Sequence, residues 1–172
     1  MVKVKSYANI AIVKYWGKKD AEKMIPSTSS ISLTLNDMFT ETEMELINDS
    51  DIKIAVEKEM KSGNCKDKFS DMTDLFYLNR ELQDSVHTKK ISKVVDLFRE
   101  NRNQKVKIAT TNNMPTAAGL SSSSSGLSAV IKACNELFGK NYTQSELAQI
   151  SKFGSGSSSR SFFGPVAAWD KD

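Results

Sequence analysis

The sequence is poor in the residues that build metal centres, disulfide frameworks and membrane spans. Among 172 residues it has one histidine, His87, and two cysteines. This leaves no Cys/His cluster for zinc and little basis for a disulfide framework. No apolar run approaches the ~20 residues of a membrane-spanning helix. The N-terminus alternates Val and Lys where a signal peptide would have an apolar core. We therefore expect a cytoplasmic protein with no membrane partner.

An excess of charge of either sign is missing as well. The 24 Lys and Arg residues against 21 Asp and Glu residues give a net charge of +3. Charge alone therefore does not argue for nucleic-acid binding, and we expect no nucleic-acid partner. The hydrophobic content of 39% and the charged content of 26% are ordinary for a globular protein. Residues 1–172 are predicted to form a single domain.

Strand patterns dominate the first part of the chain. At the N-terminus, apolar side chains occupy alternate positions: Val2, Val4, Ala8, Ile10 and Ile12. This alternation predicts a strand. Further strands are predicted at 31–35, 40–47, 52–56, 76–78, 106–108 and 166–169. Residues 57–74 carry no readable pattern.

In the later part of the chain, apolar residues recur mainly at helical spacing. One helix is predicted near 88–100, and a second runs from the serines at 121–125 to Phe138, with Gly139 as its C-terminal stop. Thr143 and Glu146 form a capping-box pattern for a third helix. Strands followed by helices predict an α+β fold, in which helices cover one face of an antiparallel or mixed sheet.

Five consecutive serines, Ser121 to Ser125, lead into this second helix. The first N–H groups of a helix lack internal partners, and the helix dipole adds partial positive charge, so phosphate binds well there. A flexible serine-rich linker is the alternative. The apolar residues Leu127, Val130 and Ile131 follow at helical spacing, which favours a packed helix.

This phosphate site is not a P-loop. Gly17-Lys18 and Gly139-Lys140 are preceded by Ile12 and Cys134 at the positions where that motif requires glycine. A serine hydrolase is also disfavoured, because no nucleophile elbow and triad partners accompany His87.

Two further clusters combine cations with hydroxyl or amide groups. The first contains Asn9, Lys14, Tyr15, Trp16 and Lys18, and the second runs from Ser155 to Arg160. Point charges, a bidentate guanidinium and small residues that let backbone approach a ligand suit a polyanionic substrate. A solvated strand end and an ordinary turn are the respective alternatives.

Three segments carry a resemblance to a known family: residues 9–18, 115–126 and 154–161. The serine-rich segment resembles the ATP loop of the superfamily that includes galactokinase, homoserine kinase, mevalonate kinase and phosphomevalonate kinase. The other two resemble signature segments of the diphosphomevalonate decarboxylases, and Phe163-Gly164-Pro165 suggests the bacterial branch.

The resemblance implies a ribosomal-S5-like N-terminal domain, with a ferredoxin-like C-terminal domain absent from this chain. It implies ATP-dependent decarboxylation of 5-diphosphomevalonate to isopentenyl diphosphate by way of phosphorylation at the C3 hydroxyl. ATP and Mg²⁺ are the implied cofactors, and the full-length protein is expected to be a homodimer.

The resemblance also implies roles for individual residues. Lys14 and Arg160 would be catalytic. The substrate would be bound by Asn9, Tyr15, Trp16, Gly17, Lys18, Lys90, Ser155, Gly156, Ser157, Ser158, Ser159 and Arg160. ATP would be bound by Pro115, Gly119, Leu120, Ser121, Ser122 and Ser123. Of these, Ser122 and Ser123 would reach Mg²⁺ indirectly, through the ATP phosphates.

The chain departs from the family in length, since family members are roughly twice as long. The acidic residue expected to act on the C3 hydroxyl lies in the half that this sequence lacks. We therefore expect the isolated chain to be inactive. Another mevalonate-type kinase and a non-catalytic, RNA-binding S5-like domain remain alternatives.

Overall fold

The computed structural model describes residues 1–14, 17–20, 25–63, 66–114 and 122–170, without the side chains of 18–19, 25–26 and 66–67. The strands in these ranges are β1 (Val2–Val13), β2 (Lys18–Asp20), β3 (Ile25–Pro26), β4 (Ser30–Ile47), β5 (Leu75–Leu78), β6 (Glu81–Leu82), β7 (Lys105–Asn112) and β8 (Val166–Trp169). The α-helices are α1 (Asp49–Lys61), α2 (Ser85–Val95), α3 (Ser122–Leu137) and α4 (Gln144–Lys152). Short 3₁₀ helices span Lys66–Phe69 and Ser158–Phe162.

Six strands form one mixed sheet in the order β1-β4-β7-β5-β6, and β8 also pairs with β4. The pairs are antiparallel except for β5 and β7, which are parallel. Strands β2 and β3 form a separate ribbon. The predicted α+β class with a mixed sheet is confirmed.

Strand β4 organises the sheet. Along one edge of this 18-residue strand, residues 31–35 and 39–44 pair with β1. Along the other edge, Thr40–Ile47 pair with β7, whereas Ser30–Leu33 pair with β8. The two strands predicted at 31–35 and 40–47 are therefore one continuous strand, which brings residues 166–169 beside the start of β4.

The inner face of the sheet, against which α3 packs, changes from apolar to polar along the strands. On β4 the fully buried residue Met44 is followed by buried Thr42, Thr40, Ser32 and Ser30. On β7 buried Val106 and Ile108 give way to Thr110, and on β1 Val4 gives way to Ser6 and Asn9. Helix α3 matches this change, because Ser124, Ser125 and Ser128 precede Ile131 and Cys134.

The alternation of β1 reverses at a register shift between Tyr7 and Ala8. Beyond it Asn9 is buried, whereas Ile10 is 53% and Ile12 63% exposed. The sequence predicted the strand correctly, but its alternation does not show that these isoleucines face outward. At this irregularity, here called the bulge, Tyr7 pairs with Phe39 but Ala8 pairs with Leu35, so residues 36–38 of β4 lack partners on β1. From Asn9 onward, the side chains of β1 lie on the faces opposite to those that strict alternation predicts.

The strand predicted at 52–56 is wrong, since these residues belong to α1. Asn48 caps this helix, accepting hydrogen bonds from the backbone N–H groups of Ser50 and Asp51, while the Asp51 side chain accepts from the Asn48 N–H. This capping box starts a helix where a short apolar run alone could not distinguish helix from strand.

The bounds of the other helices agree better with those predicted from the sequence. Helices α3 and α4 are confirmed, including the stop at Gly139, which has a φ of +60°, and the Thr143–Glu146 capping box. Helix α2 begins three residues before the predicted start because Asp84 caps it, accepting from the His87 N–H at 2.8 Å. It ends five residues before the predicted end, and Phe98 still packs into the core.

A buried ion pair crosses the apolar end of the core. Asp74, which is fully buried, accepts hydrogen bonds from Arg99 Nη2 at 2.7 Å, Ser92 Oγ at 2.6 Å and the Val106 N–H at 2.9 Å. Burial alone would lower the pKa of the Arg99 guanidinium. The hydrogen bonds and charges of Asp74 and Asp96 outweigh burial and raise that pKa above its ordinary value.

Candidate functional site

The serine-arginine segment, Ser155–Arg160, folds into a compact turn that enters the 3₁₀ helix Ser158–Phe162. Its hydroxyls largely bond within the turn. Ser158 Oγ donates to the Ser155 carbonyl at 2.6 Å and to the Ser151 carbonyl at 3.1 Å. Ser159 Oγ donates to the Gly156 carbonyl at 2.8 Å. These bonds fix the backbone of the segment against the end of α4.

Asn9 joins this segment to β1. The bulge turns its side chain inward, where Nδ2 donates to the Ser157 carbonyl at 3.1 Å and to Ser161 Oγ at 2.8 Å. Its Oδ1 accepts from Arg160 Nε at 3.4 Å. A single carboxamide therefore holds both the backbone of the segment and its arginine.

Arg160 is directed into the sheet and is only 4% exposed. Besides its bond to Asn9, its Nη1 donates to Ser30 Oγ at 2.9 Å, at the first residue of β4. Neutral oxygens from β1 and β4 thus help to orient the guanidinium. Because a guanidinium stays charged, a buried one held in this way is a suitable fixed counter-charge for a carboxylate or phosphate.

Ser157 joins the segment to α3. Its Oγ lies 2.5 Å from Ser124 Oγ and 3.1 Å from Ser155 Oγ. Ser124 is fully buried in the first turns of α3, two residues after Ser122. The predicted nucleotide-binding end of α3 and the predicted substrate-binding segment are therefore in direct contact.

Lys132 of α3 lies behind the segment. Its Nζ donates to Ser6 Oγ at 3.3 Å and to the Ser161 carbonyl at 3.4 Å, and lies 5.4 Å from the centre of the Phe162 ring. Burial lowers the pKa of this amine below its ordinary value. We infer that Lys132 helps to hold the residues that follow Arg160.

Several predicted site residues lie outside the described ranges: Tyr15, Trp16, Pro115, Gly119, Leu120 and Ser121. Of Lys18 the structure describes the backbone, which pairs with Pro26. Lys14 is exposed just after the end of β1, and Lys90 is exposed on α2, which packs against β5. Gly17 adopts a φ of +72°, a conformation that favours glycine. The structure thus brings together Asn9, Ser155, Ser157, Arg160 and the start of α3.

Four residues that complete this arrangement have no individual role predicted from the sequence: Ser30, Ser124, Ser161 and Lys132. Only Ser124 and Lys132 offered a signal, as polar residues on the inner face of an amphipathic helix. The contacts of Ser30 and Ser161 join segments that are 130 and 152 residues apart, which no local pattern shows.

Within the described residues, no group of three or more His, Cys, Asp or Glu could hold a metal ion. In the same ranges, no helix is long and apolar enough to cross a membrane.

Comparison with known proteins identifies the family. Residues 6–76 and 62–172 match the family model of the diphosphomevalonate decarboxylase-like N-terminal domain. The diphosphomevalonate decarboxylase of Candida albicans is 34% identical over 169 residues, which cover 94% of this chain and 43% of that relative.

Solved structures agree. The mevalonate pyrophosphate decarboxylase of Streptococcus pyogenes is 54% identical, with a TM-score of 0.79, and the match covers 99% of this chain and 48% of that one. The mevalonate diphosphate decarboxylase of Enterococcus faecalis is 37% identical, with a TM-score of 0.74, over 98% of this chain and 47% of that one.

The chain belongs to the diphosphomevalonate decarboxylase-like family, which confirms the resemblance seen in the three segments. It spans less than half of the length of these relatives.

Proposed function

We propose that the chain is the N-terminal domain of a diphosphomevalonate decarboxylase and supplies most of its nucleotide- and substrate-binding groups. The observation that carries this proposal is the contact of Asn9 and Ser124 with Ser157, since it joins the three segments that resemble the family. Related structures support the ligands, because one neighbour, 36% identical, is a complex with MVAPP, AMPPCP and magnesium.

The proposed reaction begins with phosphorylation of the C3 hydroxyl of 5-diphosphomevalonate. Bound ATP with Mg²⁺ would supply the phosphoryl group, which leaves as phosphate while the carboxylate departs as carbon dioxide. The products are isopentenyl diphosphate, carbon dioxide, ADP and phosphate. Catalysis of such a reaction depends on positioning and on charge stabilisation more than on covalent chemistry by the protein.

We assign the substrate carboxylate to Arg160. Asn9 and Ser30 fix the guanidinium before the substrate arrives, so little reorganisation is needed on binding. With 4% of Arg160 exposed, the carboxylate would meet only one edge of the guanidinium. Ser155 and Ser157 would donate hydroxyl hydrogens to the same ligand, and Lys14 would stabilise charge near the reacting groups.

We assign the ATP phosphates to the start of α3, at Ser122 and Ser123. Ser123 is exposed and Ser122 half-buried, so both are accessible, whereas Ser124 and Ser125 are buried. The amides at the helix start and the hydroxyls fit phosphate oxygens, and the cation would be shared among those oxygens.

Calorimetric titration of the chain tests the proposal. We expect 5-diphosphomevalonate to bind, phosphomevalonate to bind more weakly, and Arg160→Lys to lower the affinity at least tenfold because Lys lacks the planar fork. Arg102→Lys, at an arginine that is 90% exposed, is the matched control and should bind like the wild type. Equal binding by both variants, or tighter binding of phosphomevalonate, would contradict the proposal.

Two further measurements address the alternatives. An ATP-dependent assay of the chain alone should release no carbon dioxide, and measurable turnover would disprove the expected inactivity. Filter binding to RNA at several salt concentrations should show no steep salt dependence, which an RNA-binding domain would show.

A further inference from the structure

The outer face of the sheet is divided into a charged part and an apolar part. Near the N-terminus it carries ion pairs between β1 and β4, such as Lys3 with Glu43 at 3.0 Å and Lys5 with Glu41 at 3.4 Å. Beyond the bulge, apolar side chains of β1, β4 and β8 take the place of these ion pairs.

These side chains form one continuous surface, here called the apolar face. It consists of Ile10, Val13, Ile31, Leu33 and Val166, which are between 40% and 55% exposed. Strand register makes them neighbours, because Ile10 pairs with Leu33, Leu33 with Val166, and Val13 with Ile31. Residues directly opposite each other in antiparallel strands share a face.

This arrangement is the reverse of an ordinary sheet that is solvated on one side, where polar residues face outward. Here the inward neighbours are polar, namely Asn9, Ser30 and Ser32, and the outward residues are branched and apolar. Contiguous exposed apolar surface of this kind marks an interaction site.

The comparison with relatives indicates which part of the protein binds to the apolar face. The matched family model is an N-terminal domain, and more than half of each relative named above lies outside the match. We propose that the apolar face is the docking surface for the C-terminal half of the decarboxylase fold, carried by the same or by a separate polypeptide. This proposal depends on family membership and not on which substrate is bound.

Docking there would also affect the candidate site. The strands that carry the apolar face present Asn9 and Ser30 on their opposite side, where both bind Arg160. Covering one side of β1 and β4 would therefore stiffen the strand positions that orient the guanidinium.

Leu33→Lys provides the test, with Leu46→Lys as its matched control. Both are leucines on β4, exposed by 40% and 54%, but only Leu33 lies on the apolar face. Each substitution is made in the isolated chain and in a chimera that joins this chain to the C-terminal half of the Streptococcus pyogenes enzyme. Thermal unfolding is measured for all four proteins and for both parents.

In the isolated chain, neither substitution should lower Tm, since both side chains are exposed. In the chimera, Leu33→Lys should lower Tm by about 4 °C or more, because the ammonium becomes buried, whereas Leu46→Lys should not. Equal effects of the two variants in the chimera, or independent unfolding of its halves, would overturn the proposal.

Hydrogen exchange gives a second measurement that requires no variant to fold. Adding the separate C-terminal half to the wild-type chain should slow exchange at residues 10–13, 31–33 and 166–168, and unchanged exchange would count against the proposal. Sedimentation of the isolated chain tests whether a second copy of the chain, instead of the C-terminal half, occupies this face. A dimer that Leu33→Lys dissociates would mean that a second copy covers this face, and the proposal would be wrong.

Discussion

The two ends of the main sheet are built from the same strands but are held together differently. At one end, Met44, Ile108 and Val130 pack with other apolar side chains of the core. At the other end, buried residues such as Ser6, Asn9 and Ser128 are joined by hydrogen bonds. Apolar packing is not directional, whereas hydrogen bonds fix both distance and direction.

This difference explains where the candidate site lies. A buried hydroxyl or amide costs free energy unless it is paired, so the polar end gains less stability per buried residue than the apolar end. In return, its hydrogen bonds hold Arg160 and Ser157 in defined orientations. We infer that the apolar end supplies most of the stability and the polar end supplies the geometry that binding requires.

The largest expected effect comes from Arg99→Leu, at the apolar end. It leaves the Asp74 carboxylate buried without its cation, and we expect a loss of about 3–5 kcal/mol in the free energy of unfolding. Urea denaturation measures this loss. Arg102→Leu, which removes an exposed arginine 3.9 Å from Asp96, should be nearly neutral. Similar losses in both variants would show that the buried Asp74–Arg99 pair contributes no more to stability than an exposed ion pair does.

A smaller effect is expected at the boundary between the two ends. Thr42 and Thr110, both buried, share a hydrogen bond of 3.0 Å between β4 and β7. Thr42→Val leaves the Thr110 hydroxyl without this partner and should cost about 1–3 kcal/mol. Adding Thr110→Val should restore part of the loss, because two apolar groups then face each other. Simple additivity in urea denaturation would argue against a coupled pair.

The smallest effect concerns pH and Lys132, at the polar end. Burial lowers the pKa of this amine in the folded protein, so above that lowered pKa the unfolded chain holds more protons. The stability of the wild type should therefore gain a contribution as the pH rises from the lowered pKa towards the ordinary lysine value. Lys132→Met should lack this contribution.

Urea denaturation at several alkaline pH values checks this expectation. Lys89→Met, which removes an exposed lysine, controls for the loss of one charge. Parallel pH profiles for the wild type and Lys132→Met would contradict the assigned burial.

Local patterns predicted much of this fold, but not the positions where strands change direction or partner. Alternation found β1, and the Thr143–Glu146 capping box found α4. The bulge after Tyr7 has no signature in the sequence, so the outward orientation of Ile10 was missed. Residues 52–56 were assigned to a strand because the cap at Asn48 was not recognised.

The candidate site was predictable as a set of segments rather than as a geometry. Asn9 and Arg160 lie in segments that resemble the family, and the structure brings these two residues together. Lys90 was selected in the same way, yet it lies on an exposed part of α2 that packs against β5. The contacts of Ser30 and Ser124 depend on tertiary packing, which residue types and spacing do not encode locally.

The bulge between β1 and β4 ties two surfaces of the protein to one another. Side chains alternate with a period of two, so the irregularity that brings Asn9 to the inner face also brings Ile10 to the outer face. With strict alternation through this point, Asn9 would face outward and Ile10 would lie among buried hydroxyls. Binding geometry and the outer surface therefore depend on the same strand register, and a change that moves one moves the other.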